Sequence, residues 1–181
     1  MKRFSLISII FGIVLFTGCS SQKQKEQLAQ VDSLKQSLDT IDERFNTLDS
    51  SIIARNFERT LKSTELLHLA PEDDKQKEEL IALHRQSEKV YRKYLENTDR
   101  LIHELERSYE QVQDLAADVK NDNIPEGQFK NYYRDEKKMV KRLREMVFYI
   151  VEENRYELER ADSLEEVTEQ YLRKHDISYG E

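Results

Sequence analysis

The apolar residues of this chain recur at alternating spacings of three and four, and this periodicity constrains the fold more than any other feature. The first such series contains Val31, Leu34, Leu38, Ile41, Phe45, Leu48 and Ile52. Side chains spaced in this way share one face of an α-helix, as in a coiled coil. The pattern predicts a first helix over about residues 27–69. Its apolar face shifts at Asp49-Ser50-Ser51, which predicts a stutter there.

Two further apolar faces predict two more helices. Pro71 disfavours a helical residue before it, so the first helix should end near Ala70, and Pro71 suits the first turn of a second helix over about 72–120. Asn123 and Glu126 fit a capping box, which predicts a third helix over about 124–175. Residues 176–181 are expected to fray.

The charge pattern predicts how the second and third helices pair. Each is basic in its first half and acidic in its second half, so antiparallel packing brings opposite charges together. The expected pairs are Asp118 with Lys130, Asp114 with Arg134, Glu110 with Lys138, and Glu106 with Arg142. The sequence therefore predicts an all-α fold, an elongated antiparallel three-helix bundle or coiled coil with up-down-up topology.

Composition agrees with long helices in a single domain. Charged residues make up 36% of the 181 residues, and there are only four glycines and two prolines. Such a composition is typical of coiled coils and contains few turn-forming residues. The formal net charge is -7, so nucleic acid is not an expected partner. Because Cys19 is the only cysteine, we expect no disulfide, thiolate nucleophile or cysteine metal ligand.

The N-terminal segment has the pattern of a secretory signal peptide. Lys2 and Arg3 precede an apolar run that is too short to span a bilayer. The residues that follow, Phe16-Thr17-Gly18-Cys19, resemble the lipobox of bacterial lipoproteins. The resemblance implies a signal peptide over residues 1–18 that is cleaved, a lipid on Cys19, and a tether over residues 19–26. The alternative is an ordinary signal anchor in which Cys19 is a small buried residue.

The lipobox resemblance also predicts location. It places the protein in the bacterial cell envelope as a lipid-anchored membrane protein. Ser20 follows the cysteine where an Asp would favour inner-membrane retention, so the outer membrane is expected if the organism has one. The stretch Ser87-Glu88-Lys89-Val90-Tyr91-Arg92-Lys93-Tyr94 is similar to segments of small helical-bundle lipoproteins described as cell-wall-binding, and nothing is carried over from them residue by residue except the anchor cysteine.

A basic stripe at the start of the third helix is the main candidate binding site. It consists of Lys130, Arg134, Lys137, Lys141 and Arg144. Two interpretations compete, an interhelical charge ladder and a patch for envelope polymer or lipid headgroups, and the ladder is favoured. Surplus charge would come from Lys137, Lys141 and Arg144, with Tyr132 and Tyr133 beside them.

Other candidate chemistry is weakly supported by the sequence. Only Glu65 and His68 form the Glu-x-x-His motif of bundle di-metal sites, so we expect solvent-facing histidines, no metal and no cofactor. The tyrosines could form a sugar-binding or stacking surface, but most of them fall on or beside the helix seams. Packing with the hydroxyl group at the rim is therefore favoured.

We predict a non-enzymatic scaffold or protein-interaction module at the cell envelope, attached through its lipid and holding a protein partner. The alternative function is binding of cell-wall or other envelope polymer. Self-association through surplus apolar surface is a further hypothesis.

Overall fold

The computed structural model describes residues 22–71 and 74–178. They form four helices: α1 (Gln22–Phe45), α2 (Ser50–Leu67), α3 (Lys75–Lys120) and α4 (Phe129–Lys174). No strand is present in these two ranges, so the all-α prediction is confirmed. The prediction of three helices is wrong, because the first predicted helix is divided into α1 and α2. The proposed signal peptide and Cys19 lie outside the described residues.

The break between α1 and α2 falls at residues 46–49. The Asp49 side chain caps α2, accepting a hydrogen bond from the Ser51 backbone N–H at 2.8 Å. The Thr47 hydroxyl donates to the Arg44 carbonyl at 2.7 Å. Such local side-chain bonds give the backbone an alternative to the helical ladder. The predicted stutter at Asp49 is therefore a helix end followed by a new helix start.

Side-chain caps also set the start of α3 and shift it from the predicted position. Asp74 accepts hydrogen bonds from the backbone N–H groups of Gln76 at 2.8 Å and Lys77 at 3.3 Å. Helix α3 consequently begins at Lys75, and Pro71 precedes the helix instead of occupying its first turn. The aspartate cap determines the helix start because it satisfies backbone donors that have no partner within the helix.

The loop before α4 also differs from the prediction. The expected capping box does not form, since the Asn123 side chain donates to Asp118 Oδ1 at 3.4 Å and α4 begins only at Phe129. Gly127 has a φ of 79°, a left-handed conformation that glycine adopts at little cost. The residues from 121 to 128 therefore form an irregular loop.

Helices α3 and α4 run antiparallel, and α1 and α2 lie one after the other along this pair. The antiparallel direction is visible from two contacts: Lys93 Nζ is 3.1 Å from Glu153 Oε2, and the earlier His84 is hydrogen-bonded to the later Thr168 at 2.9 Å. Both α1 and α2 pack against α3 and α4, and within the described ranges they do not pack against each other. At one end of the molecule, the Gln24 side chain donates to the Val119 carbonyl at 2.8 Å.

The predicted antiparallel direction of α3 and α4 is confirmed, but the predicted charge ladder is wrong. None of its four pairs is within salt-bridge distance in the part of the chain that the structure describes. Ion pairs between helices occur instead between Lys93 and Glu153, Arg44 and Glu152, and Arg59 and Asp162. Exposed ion pairs contribute only about 0–1 kcal/mol, too little to determine the register.

The apolar core has two parts. The larger cluster joins α1, α3, α4 and the first part of α2, and includes fully buried Leu38, Ile41 and Val151. The smaller cluster lies near the α2–α3 turn and contains Leu67, Ala70, Leu80, Ile81, Tyr171 and Leu172. Among the described helices, none carries an apolar stretch long enough to cross a membrane.

Candidate functional site

A layer of buried polar side chains lies where α2 packs on α3 and α4. Its members are Thr60, Ser63, His84, Ser87, Asn154, Glu157, Glu165 and Thr168. A buried polar group without a partner costs about 1–3 kcal/mol. The hydrogen bonds within the layer therefore determine whether it holds the helices together.

Glu157 connects α4 to α3. Its carboxylate accepts hydrogen bonds from Ser87 Oγ at 2.7 Å and from Gln86 Nε2 at 2.9 Å. Arg160 Nε lies 3.6 Å from Glu157 Oε2. Two polar partners on α3 and one cation on α4 thus compensate the cost of burying this carboxylate.

Glu165 connects α4 to α2. Its Oε2 atom accepts a hydrogen bond from Ser63 Oγ at 3.0 Å and lies 3.6 Å from Arg59 Nε. The Arg59 guanidinium also contacts Asp162 Oδ1 at 3.3 Å. Helix α2 is therefore attached to α4 partly through charge.

His84 belongs to the same layer, lies near Glu165 and is only 1% exposed. Its Nε2 is 2.9 Å from Thr168 Oγ1, and the Thr168 hydroxyl donates to the Leu164 carbonyl at 2.8 Å. Since the threonine proton is already engaged, His84 Nε2–H must be the donor and Nδ1 carries a lone pair. His84 Nδ1 is buried and has no hydrogen-bond partner among the described residues.

Burial lowers the pKa of the His84 imidazole, and the nearby Arg59 and Arg160 cations act in the same direction against the opposing charge of Glu165. The side chain is consequently neutral at pH 7. The expectation of solvent-facing histidines is wrong for His84, because the polar layer gives this residue a partner inside the core. The same layer holds Tyr91, whose buried hydroxyl has no partner in the described ranges.

A groove of about 590 Å³ lies between α3 and α4 and reaches the polar layer at Glu157. Tyr149 and Tyr156 line it and are 54% and 60% exposed. Lys93 Nζ lies 4.1 Å from the centre of the Tyr149 ring. The Tyr149 hydroxyl donates to Glu153, which also pairs with Lys93. The groove therefore combines accessible aromatic surface with charges of both signs.

The tyrosines confirm the sequence prediction only in part. Tyr91, Tyr94 and Tyr171 are buried, and the Tyr109 hydroxyl reaches the rim, where it donates to Asp39 Oδ1 at 2.8 Å. Tyr149 and Tyr156 instead project into the groove, so the expectation of packing is wrong for these two.

The candidate cations of the basic stripe are exposed on α4, and each contacts a neighbour on its own helix. Lys137 lies 5.8 Å from the centre of the Tyr133 ring, Lys141 Nζ lies 3.6 Å from Glu145 Oε1, and Arg144 lies 5.1 Å from the centre of the Phe148 ring. These contacts replace the interhelical ladder that the sequence favoured.

The structure separates the two tyrosines that the sequence grouped with these cations. Tyr133 is half-buried and stacks on Phe129 with 5.8 Å between ring centres, beside Lys137. Tyr132 is exposed and lines a different cleft, together with Asp114, Asp118 and Glu136. Only Tyr133 therefore belongs with the basic stripe.

No group of three or more metal-ligating side chains with suitable geometry occurs in the described part of the chain. His68 is exposed and His103 pairs with Glu106 at 3.3 Å. His175 Nε2 lies 3.6 Å from Asp74 Oδ2 near the α2–α3 turn. These residues are dispersed along the molecule.

The polar layer was not predicted, although the sequence contains a signal for it. Asn154, Glu157, Glu165 and Thr168 follow Val151 at steps that continue the buried face of α4. Polar residues at such positions indicate a specific polar contact within a helical core.

No known family model, curated protein or solved structure matches this chain.

Proposed function

We propose that this protein is a non-enzymatic, lipid-anchored interaction module of the bacterial cell envelope that holds a protein partner in the α3–α4 groove. The observation that carries the proposal is the pair Tyr149 and Tyr156, which lie on the same side of α4 and remain more than half exposed in the groove. Accessible tyrosines in a concave site are typical anchors of protein interfaces.

The shape of the molecule supports this role. Helices α1 and α2 together run along the molecule in one direction, α3 returns and α4 runs in the first direction again, which gives an elongated bundle with up-down-up topology. Helix α3 has 46 residues and is therefore about 69 Å long. A lipid on Cys19 would attach the rod at the end where Gln24 contacts the C-terminus of α3. Tyr149 follows the start of α4 by twenty residues, so the partner would be held about 30 Å from this end.

The charges around the groove indicate what kind of partner would be complementary to it. Lys89 and Lys93 lie on the α3 side, and Glu152 and Glu153 lie on the α4 side. A partner segment with an apolar anchor and flanking charges of both signs would be complementary to this arrangement. An amphipathic helix has these properties and would lie along the groove.

In-cell photocrosslinking tests the proposed groove. A photoreactive residue at Val90 in the groove should crosslink one protein partner, and the same residue at Ile102 outside the groove should not. The double variant Tyr149→Ala/Tyr156→Ala should reduce the Val90 adduct about tenfold. Tyr132→Ala removes an exposed tyrosine outside the groove and should leave the adduct unchanged. An adduct that persists in the double variant would contradict the proposal.

The lipid anchor has its own test. The protein should fractionate with membranes, and Cys19→Ser should release it, whereas Ser21→Ala should not. Loss of the crosslinked adduct in Cys19→Ser, with correct folding by circular dichroism, would show that the partner meets the protein at the membrane. Reproducible turnover of an envelope substrate would contradict the non-enzymatic assignment.

Binding of cell-wall or other envelope polymer is the second candidate function. It is favoured by the exposure of Lys137, Lys141 and Arg144, which engage only neighbours on α4 among the contacts described above. Replacing all three with Glu should abolish sedimentation with purified cell wall. The matched control reverses the charge of three lysines on α1 by replacing Lys23, Lys25 and Lys35 with Glu. Equal sedimentation of the stripe variant and the wild type would exclude this stripe as the polymer site.

A further inference from the structure

We propose that the buried polar layer is an acid-sensitive latch that holds α2 on α3 and α4, and that protonation of His84 releases α2 while α1 remains packed. This inference is independent of the proposed function, since it concerns contacts within the molecule.

Helix α2 is held by less apolar contact than α1. Its buried residues are Ile53, Thr60, Ser63 and Leu67, of which two are polar, while Phe57 and Leu66 are only partly buried. The buried residues of α1 are all apolar: Val31, Leu34, Leu38, Ile41 and Phe45. Because apolar burial is the main source of packing free energy, α2 depends more strongly on its polar contacts than α1 does.

The ends of α2 allow it to move as a unit. Residues 46–49 separate it from α1, and α3 starts only at Lys75. The movement therefore needs no helix to break. Segments with few buried apolar contacts open at lower free-energy cost than the rest of a fold.

The charges that face His84 determine how it responds to acid. Helix α2 contributes Arg59, and helix α4 contributes Arg160 and Glu165. Helix α3 itself contributes the uncharged Tyr91, on which the charge of Glu157 acts. Glu165 would favour an imidazolium. However, this carboxylate already accepts from Ser63 Oγ at 3.0 Å and lies 3.6 Å from the Arg59 guanidinium.

A second proton on His84 would create two problems in the layer. It would convert Nδ1 into a buried donor, and Nδ1 has no acceptor among the described residues. It would also place a third cation beside Arg59 and Arg160. Opening the α2 interface relieves both problems, because water can then solvate the imidazolium.

The direction of the pH effect follows from the pKa of His84, which burial holds below its ordinary value of 6.5. The unfolded or opened state therefore binds more protons than the packed state in the range between the two pKa values. The stabilising effect of a neutral His84 is fully present above pH 6.5. It is lost as the pH falls from 6.5 through the lowered pKa of the packed state.

Hydrogen exchange on the full chain tests the latch. After correction for intrinsic exchange rates, lowering the pH from about 7.5 to about 5 should increase exchange of α2 amides about tenfold more than that of α1 amides. His84→Gln should remove this difference between α2 and α1. His103→Gln is the matched control, because His103 is an exposed histidine on the same helix, and it should retain the difference.

A titration of the wild-type protein keeps the proposal testable if His84→Gln does not fold. The ring resonances of His84, followed by NMR, should titrate with the same midpoint as the loss of α2 protection. The proposal would be overturned by equal acid responses of α1 and α2, by an unchanged response in folded His84→Gln, or by different midpoints for His84 and α2.

Discussion

Tyr91 and Tyr94 are two buried tyrosines on α3, each 1% exposed, yet their hydroxyl groups differ in surroundings. The Tyr94 hydroxyl is hydrogen-bonded to Ser50 Oγ at 2.9 Å and so links α3 to the start of α2. The Tyr91 hydroxyl has no partner among the described residues. Burial, with the charge of Glu157, raises the pKa of Tyr91 to about 12. The two hydroxyl groups should therefore contribute differently to stability.

We predict opposite outcomes for the two tyrosine-to-phenylalanine substitutions. Tyr94→Phe removes a hydrogen bond and leaves Ser50 without this partner, so it should lower the free energy of unfolding by about 1 kcal/mol. Tyr91→Phe removes an unpartnered buried hydroxyl and should leave that free energy unchanged or raise it. Urea unfolding at pH 7 measures both values. A larger loss for Tyr91→Phe would show that its hydroxyl has an essential partner.

At the residue scale, the sequence predicted apolar positions better than polar ones. Leu38, Ile41 and Val147 were assigned to helix faces from their spacing, and all are buried. Glu157 and Glu165 were not assigned to the core, because a charged residue is normally exposed and its burial depends on partners far away in sequence. Ser87 and Arg160 become such partners only after α3 and α4 have packed together.

The helices themselves show that periodicity and helix ends are set by different interactions. Spacing predicted where long apolar faces run, since tertiary packing of these faces stabilises the helices. The ends depend on single side chains, as Asp49 and Asp74 demonstrate by capping α2 and α3. The apolar spacing alone predicts a continuous helix through Asp49, whereas the cap divides this segment into two helices.

The cap at Asp49 can be tested directly. Asp49→Ala should lower the free energy of unfolding by about 1 kcal/mol, because the Ser51 N–H loses its acceptor. Asp32→Ala is the control: Asp32 is exposed inside α1, where alanine favours the helix and should cause no loss. Thermal unfolding followed by circular dichroism compares the two. Equal effects would mean that the break does not depend on the Asp49 cap.

The whole molecule should be elongated in solution. Helix α3 alone is about 69 Å long, whereas a compact domain of similar chain length has a radius of gyration of about 15 Å. We expect small-angle X-ray scattering to give a radius of gyration clearly above that value. A value near 15 Å would contradict the elongated shape.

The position of α1 also affects when the protein can fold. Arg44 on α1 pairs with Glu152 on α4, so the contacts of the first helix depend on the last helix to be synthesised. Synthesis proceeds from the N-terminus, and contacts between distant parts of a chain form slowly. The part of the α1 apolar face that packs on α4 must therefore stay exposed until α4 has been made. In a nascent chain that ends before residue 129, α1 should be sensitive to protease. Its exposed apolar face should also be a binding site for chaperones.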